Sequence, residues 1–304
     1  MNERQHNQTP RVSVAVPVYN AERYLDEAMG SVLGQTFDDF EIVVVNDGST
    51  DRSGAMLDAY AERDPRVRVL HQANAGLVGA LNAAIDACRG AIVIRFDSDD
   101  VCEADRFVKQ VEYLDAHSDV VAVGSWMQAI DPDGGELNRF EYPADHEAIE
   151  ALFLSGHNAI GHPAAAIRRD ALVRIGGYRL RPHVEDLDLF LRLAEVGRLA
   201  NLPEPLLRYR QHPASVCATH RGDQIMAALD VINHARERRG MSPLSELPKS
   251  SKVIEQAADR SRRFALHAIR RGDLPAARRY ALDALRREPL RLSNWRTAWW
   301  SLTG

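Results

Sequence analysis

The chain has 304 residues, 45% of them hydrophobic and 27% charged, with a formal net charge of −5. That is enough apolar sequence for one large or two modest packed domains, and it excludes the disordered and fibrous classes. Charge is unevenly divided: 12 Lys+Arg stand against 5 Asp+Glu from Lys252 onward, and 26 against 38 before it, so the uniform basicity of a nucleic-acid binder is absent.

Residues 1–10 (MNERQHNQTP) lack the apolar core of a secretory signal and read as a flexible N-terminus. No run of roughly 18 apolar residues follows, so no spanning helix is expected and the chain reads as cytoplasmic. Strands are predicted at VSVAVPV (12–18), EIVVVND (41–47), VRVLHQ (67–72), AIVIRFD (91–97) and VVAVGS (120–125), apolar runs that suit buried parallel strands. Helices between them are marked by Tyr24, Leu25, Ala28 and Val32, and by Leu77, Ala80, Leu81, Ala84, Ile85 and Cys88. This alternation implies an α/β sheet covered by helices, with ligands beyond the carboxyl ends of its strands. PVYNAE, NDGSTD, HQANAGL and DSDD all fall at such ends. Neither GxGxxG nor GxxxxGK[ST] occurs, which removes dehydrogenase and P-loop readings.

Further along, IDPDGGELNRF reads as a hairpin turn, EDLDLFLRLAEVG as an amphipathic helix with acids in its first turn, and LPEPLLRYRQHPASV as a short edge strand entering a loop. From residue 222 the pattern is helical (222–240, 252–271, 274–287), with Pro275 acceptable at a helix start. The organisation expected is therefore a domain over 11–220 and a basic helical region over 221–304. Cys88, Cys102 and Cys217 are scattered with no CxxC, and read as packing residues.

Two stretches carry chemistry. Asp97, Ser98, Asp99 and Asp100 end a strand, where crowded carboxylates repel unless a divalent cation or hydrogen-bond donors neutralise them; an extended backbone would point Asp97 and Asp99 the same way. The plain alternative is an acidic cap for the next helix. Asp47, Gly48, Ser49 and Thr50 equally suit a strand-to-helix turn capped by Ser49 or Thr50, and Asn20 a helix cap, while Tyr19 can stack on a planar base.

In this order, VSVAVPVYNAERYLDEAMGSVLGQT, FEIVVVNDGSTD, NAGLVGALNAAI, RFDSDDVCEADRFVKQVEYL, GHPAAAIRRDALVRIGGYR, VEDLDLFLRL and LPEPLLRYRQHPASV resemble the inverting glycosyltransferases of family 2, bacterial and non-processive, over about residues 11 to 216. The resemblance implies a GT-A fold, a Rossmann-like mixed α/β sheet flanked by helices, here with a C-terminal helical extension. It places Pro17, Val18, Tyr19 and Asn20 around a nucleotide, with Asp47 on the base and Ser49 nearby. Asp97 and Ser98 fall at the ribose, and Asn74 and Gly76 face the donor. In this DxD motif Asp99 binds Mg²⁺ or Mn²⁺, with His212 approaching the metal or diphosphate. Asp186 is the expected catalytic base, with Glu185 and Asp188 as competitors; an acid favouring the helix N-terminus is the ordinary explanation for all three. His162, Gly177 and Tyr178 shape the acceptor side, with a hydrogen-bonded structural role the alternative for His162. Many relatives carry an Arg before the helix Asn, whereas this chain has Leu81-Asn82, which leaves Arg95 as the candidate cation.

The expected reaction moves one sugar, from a UDP-sugar in the first instance, to an acceptor hydroxyl with inversion, in cell-surface polysaccharide or lipid-linked glycan synthesis. A sugar nucleotidyltransferase would need a glycine-rich basic turn after the first strand; a processive synthase would carry QxxRW and spanning helices. A noncatalytic scaffold recruiting a partner through the C-terminal helices is the third reading. Trp295, Trp299 and Trp300 among arginines suit a peripheral contact at the inner membrane face, against packing onto the helical pair or a merely solvated basic face.

Overall fold

The first strand of the computed structural model, β1 (Val12–Val18), is buried along its whole length. Its side chains alternate between two cores: Val14 and Val16 pack on one sheet face with Ile42 and Val44 of β2 (Phe40–Asp47), Ala15 on the other with Val43 and Val45. The structure describes residues 9–181, 184–212, 221–247 and 257–303; Cys217 and residues 252–256 of an expected helix lie outside them.

β3 (Val67–Gln72), β2, β1 and β4 (Ile92–Arg95) are parallel and adjacent in that order. Their crossovers are α1 (Leu25–Leu33), α2 (Ser53–Arg63) and α3 (Gly76–Ala87). Beyond β4 the sheet turns mixed. After β5 (Val101–Cys102) and α4 (Arg106–Ala116) come the hairpin of β6 (Val120–Ile130) and β7 (Glu136–Phe140), then α5 (His146–Leu154). β8 (Ala166–Arg168), α6 (Arg169–Arg174), α7 (Glu185–Leu193) and β9 (Arg198–Arg210) follow. The order continues β4-β8-β6-β9-β5, with β8 antiparallel to both β4 and β6. One core gathers α1, α2 and α4 on one face, the other α3, α5, α6 and α7 on the opposite face, giving three layers.

Three expectations are corrected. The 120–125 strand is longer than expected and not purely parallel: it runs on to Ile130, pairing parallel with β9 as expected but antiparallel with β8 and β7. β9 is neither short nor an edge: thirteen residues long, it lies between β6 and β5. Proline cannot donate to a ladder, yet this strand holds Pro203 and Pro205 because its register jumps from Leu202 to Pro205 against consecutive Ser125 and Trp126, leaving Pro203 in a bulge. The expected side-chain caps are also absent: Asn20 accepts from Thr50 N at 2.8 Å, and Ser49 Oγ accepts from Asn20 N at 3.1 Å, so the loops after β1 and β2 bind each other.

The chain continues as α8 (Arg221–Arg238), α9 (Ala257–Arg271), α10 (Leu274–Arg287) and α11 (Leu292–Thr303). α8 joins the α7 side of the core through Val231, Ile232 and Ala235. α9 and α10 bury Phe264, Ala268, Ala277 and Tyr280 against Ala129 and Leu137 of the β6–β7 hairpin. Asp273 caps α10 by accepting from Ala276 N at 3.1 Å, with Pro275 in its first turn. Part of the basic surplus is answered internally: Arg271 meets Asp131 at 2.9 Å, and Arg279 and Tyr280 both hold Asp133.

Candidate active site

β4 delivers Arg95 and then turns: Asp100 N donates to the Asp97 carbonyl at 3.3 Å. Oxygens of Asp97, Asp99 and Asp100 thereby come within 4.8 Å of one another. The backbone is not extended here, and α4 begins only at Arg106, so these acids cap no helix. Burial, then the neighbouring carboxylates, pushes Asp100 well above the usual range; burial likewise raises Asp97, with the Arg95 guanidinium opposing it. Arg95 is ion-paired to Asp97. Its carbonyl accepts from Arg106 Nη2 at 3.0 Å, and Arg106 is fully buried beneath the turn.

β9 approaches the same turn. Arg210 N donates to Asp100 Oδ1 at 2.8 Å and its Nε to the Asp99 carbonyl at 2.8 Å. Its Nη2 donates to Glu27 Oε2 at 2.6 Å, and its guanidinium lies 4.7 Å from the centroid of Tyr24. Two residues on, His212 Nε2 is 2.7 Å from Asp99 Oδ2, its ring 5.4 Å from Tyr24. α9 supports this segment: Arg263 donates to Gln211 at 2.9 Å and Arg260 to the His212 carbonyl at 3.5 Å.

The strand registers set the neighbouring loops along one edge. Val18 lies opposite Asn46, Asp47 opposite Gln72, and Ala15 opposite Arg95. Pro17 and Val18 are buried at the end of β1, and Tyr19 is 54% exposed beyond them. Asp47 is buried, its Oδ1 accepting from Gln72 Nε2 at 2.7 Å and Ala75 N at 2.8 Å. Gly48 takes a φ of +72°, and a Cβ there would stand 2.8 Å from Asn74 N, so this turn requires glycine for the two loops to meet. Asn74 and Gly76 are exposed beside it, and Ser98 is half-buried in the acid turn.

The opposite wall comes from α7 and the segments before it. Glu185 is buried, and burial plus the adjacent Asp186 carboxylate push it up to about 7. Burial also raises Asp186, whose Oδ1 accepts from Leu187 N at 2.8 Å. Asp188 is engaged elsewhere, paired with Arg192 Nη2 at 2.6 Å inside the protein. His162 Nε2 lies 2.6 Å from the Tyr178 hydroxyl, both residues buried; burial and Arg95 hold the imidazole neutral, and burial raises the phenol. Gly177 has a φ of +65° and carries the backbone against Asn82.

Arg95 links the walls. Its charge acts on Asp97 and Asp100 of the acid turn, on Glu185 and Asp186 of α7, and on His162 and Tyr178. Geometry joins the parts pairwise: His212 meets the acid turn at Asp99, Arg95 N donates to the Ala165 carbonyl at 3.0 Å close behind His162, and the His162 ring lies 6.2 Å from Phe190 of α7, while the β1, β2 and β3 loops align along one sheet edge. Sequence reasoning missed Arg210, Arg106, Glu27 and Tyr24, and gave Asn82 no role. Arg210 had one signal, a cation at alternate spacing from His212 at the end of an apolar strand. Leu81, the residue before Asn82, is fully buried in the core.

The profile described as glycosyl transferase family 2 matches residues 13–176. The amylovoran biosynthesis glycosyltransferase AmsE of Erwinia amylovora is 34% identical over 203 residues, covering 65% of this chain and 75% of that protein. S. aureus TarS 1–349 in complex with UDP-GlcNAc is similar in fold, with a TM-score of 0.60 and 17% identity over 90% of this chain and 83% of that one. The mannosyltransferase PcManGT of Pyrobaculum calidifontis, in complex with GDP-Man and Mn²⁺, gives a TM-score of 0.56 and 20% identity over 97% and 86%. More than half of the residues lie within the family profile and the architecture is that of the GT-A transferases: this chain belongs to glycosyl transferase family 2.

Proposed function

We propose that this glycosyltransferase moves a single sugar from a nucleoside-diphosphate sugar, a UDP-sugar in the first instance, to an acceptor hydroxyl with inversion. Cell-surface polysaccharide or lipid-linked glycan synthesis is the setting, as the name of the amylovoran relative suggests. The observation that carries the reading is the acid turn at the end of β4, where oxygens of Asp97, Asp99 and Asp100 lie within 4.8 Å of one another, with Arg95 paired to Asp97 and His212 Nε2 2.7 Å from Asp99.

In this reading the base stacks on exposed Tyr19 against Pro17 and Val18, with Asn20, Asp47 and Ser49 at its edge. Asp97 and Ser98 hold the ribose, Asn74 and Gly76 face the donor, and Arg95 offsets diphosphate charge. Asp99 and His212 would hold Mg²⁺ or Mn²⁺: carboxylates and an imidazole are a suitable donor set, and the buried Asp100 Oδ2 has no hydrogen-bond partner beside them. When bound, the ion supplies Lewis-acid stabilisation of the departing diphosphate. Asp186 takes the proton of the acceptor hydroxyl as it attacks the anomeric carbon from the face opposite the nucleotide, and Glu185 stands next to it. Such a displacement passes through an oxocarbenium-like transition state, so holding both reactants close and excluding water carries much of the catalysis. Tyr178, Gly177 and His162 form the acceptor wall, the last as a neutral partner of the Tyr178 hydroxyl.

No helix among the described residues is long and apolar enough to cross a membrane; we place the enzyme peripherally at the inner membrane face. The nucleotidyltransferase and scaffold readings gain no support from the site, because β1 runs into PVYNAERYL with no glycine-rich turn and the acids converge. The test is a panel of nucleotide sugars scored for Mn²⁺-dependent release of nucleoside diphosphate, with the anomer of the product read by NMR. Retention of anomeric configuration, or no turnover of any nucleotide sugar, refutes the proposal.

A further inference from the structure

α11 is built inside out. The side chains it buries are polar: Asn294 donates to the carbonyls of Ala284 and Glu288 at 3.1 Å, Thr297 to Ser293 at 3.0 Å and Ser301 to Ala298 at 2.7 Å. The side chains it shows to solvent are Leu292, Trp295, Trp299 and Leu302, spaced to form one stripe, 84%, 58%, 65% and 64% exposed. Trp295 and Trp299 therefore do not pack onto the helical pair as the alternative reading expected, whereas Trp300 is the more covered of the three at 39% exposed. Scattered exposed leucines need no explanation, but a contiguous stripe with two indoles does. Its surroundings are cationic. Arg296 lies 4.6 Å from the Trp300 ring, and on α10 the exposed Leu282 sits between exposed Arg278 and Arg286 at four-residue spacing. Arg278 reaches the Ser301 carbonyl at 3.1 Å, which joins the two helices into one face.

Indoles and leucines framed by arginines match the headgroup region of a bilayer, where rings lie between apolar chains and water while guanidinium groups meet lipid phosphates. Self-association fits less well, since a two-fold contact would set these arginines against their own copies. We infer that the α10–α11 face docks on an anionic lipid bilayer, with Trp295, Trp299 and Leu302 inserted at the interface and Arg278, Arg286 and Arg296 on the phosphates. This deepens the peripheral placement proposed above and is independent of the transfer chemistry.

The test is flotation of the full chain with phosphatidylcholine vesicles, with and without phosphatidylglycerol. Two double variants are compared, Trp295→Ser/Trp299→Ser and Arg278→Glu/Arg286→Glu. The full chain is expected to float only with anionic vesicles and to be released by salt, each double variant binding about tenfold less or weaker. Nucleotide-sugar hydrolysis and sedimentation should stay unchanged in both; if the tryptophan variant misfolds, the charge variant decides. No flotation of the unaltered chain overturns the proposal. Equal flotation of both variants overturns this surface and leaves peripheral binding to another. A dimer that the tryptophan substitutions split assigns the face to a second copy instead. Vesicle binding without turnover of any nucleotide sugar would sink the transfer reading alone.

Discussion

Asn82 and Tyr178 clasp each other across 96 residues of chain, Asn82 Nδ2 donating to the Tyr178 carbonyl and Tyr178 N–H donating to Asn82 Oδ1, each at 2.9 Å. The clasp fixes the turn that aims the Tyr178 ring at His162. Asn82→Ala would leave both backbone groups without their partner and should cost about 1–3 kcal/mol in urea denaturation. In steady-state kinetics it should raise the acceptor KM more than the donor KM; an equal effect on both would count against an acceptor wall at Tyr178.

Asp186 and Asp188 should separate cleanly by mutation. Asp186→Asn should retain donor affinity by calorimetry yet lower transfer by roughly 10²- to 10⁴-fold, the range for a lost general base. Asp188→Asn strands the buried guanidinium of Arg192 and should instead destabilise the fold by about 3–5 kcal/mol. Unchanged turnover in Asp186→Asn would refute its assignment as base.

Glu185 makes stability depend on pH. Folded, it keeps its proton up to about 7, whereas the unfolded side chain loses it near 4.5. The folded chain therefore binds more protons across that window, and Glu185 lowers stability progressively as pH rises from about 4.5 to 7. Glu185→Gln should gain roughly 1–3 kcal/mol at pH 8 and nothing at pH 4, as read by denaturation at both values. Asp186→Asn removes the like charge and should bring the Glu185 midpoint down, which ¹³C NMR of the carboxyl would follow.

The acid turn should be stabilised by a cation. Mn²⁺ should raise the melting temperature of the unaltered chain and lose most of that effect in Asp99→Asn, because the ion offsets three crowded carboxylates. A chelator should abolish transfer, and added Mn²⁺ restore it. An Mn²⁺ shift as large in Asp99→Asn as in the unaltered chain would remove Asp99 from the ligand set.

Arg210 joins the acid turn to α1. Arg210→Met removes the Nε and Nη2 hydrogen bonds to Asp99 and Glu27. It should weaken donor binding about tenfold or more while Asp99 keeps its identity, since a hydrogen bond from a charged group is worth about 1.5–3 kcal/mol. Donor affinity equal to that of the unaltered chain would show that the link is structural only.

The four parallel strands were legible because their apolar runs are buried on both faces and end in turn-forming motifs; the DSDD acids were legible as charge crowded at a strand end, and α7 as a helical apolar period behind acids in its first turn. β9 was not, because Pro203 and Pro205 argue against an interior strand until a bulge is allowed for. The mutual binding of Asn20 with Ser49 and Thr50 escaped for a related reason: local side-chain rules favour a helix cap, and only the pairing of β1 with β2 brings a second loop close enough to compete. Arg210 and Asn82 act over distances along the chain that no periodicity encodes.

Docking of α9 and α10 on the β6–β7 hairpin limits how relatives can be recombined. Asp131 and Asp133 at the hairpin tip meet Arg271, Arg279 and Tyr280, while Phe264 and Tyr280 cover Ala129 and Leu137. A chimera that takes its front half from one parent and its last helices from another would mismatch that seam, so crossover points belong where hairpin and helices are inherited together.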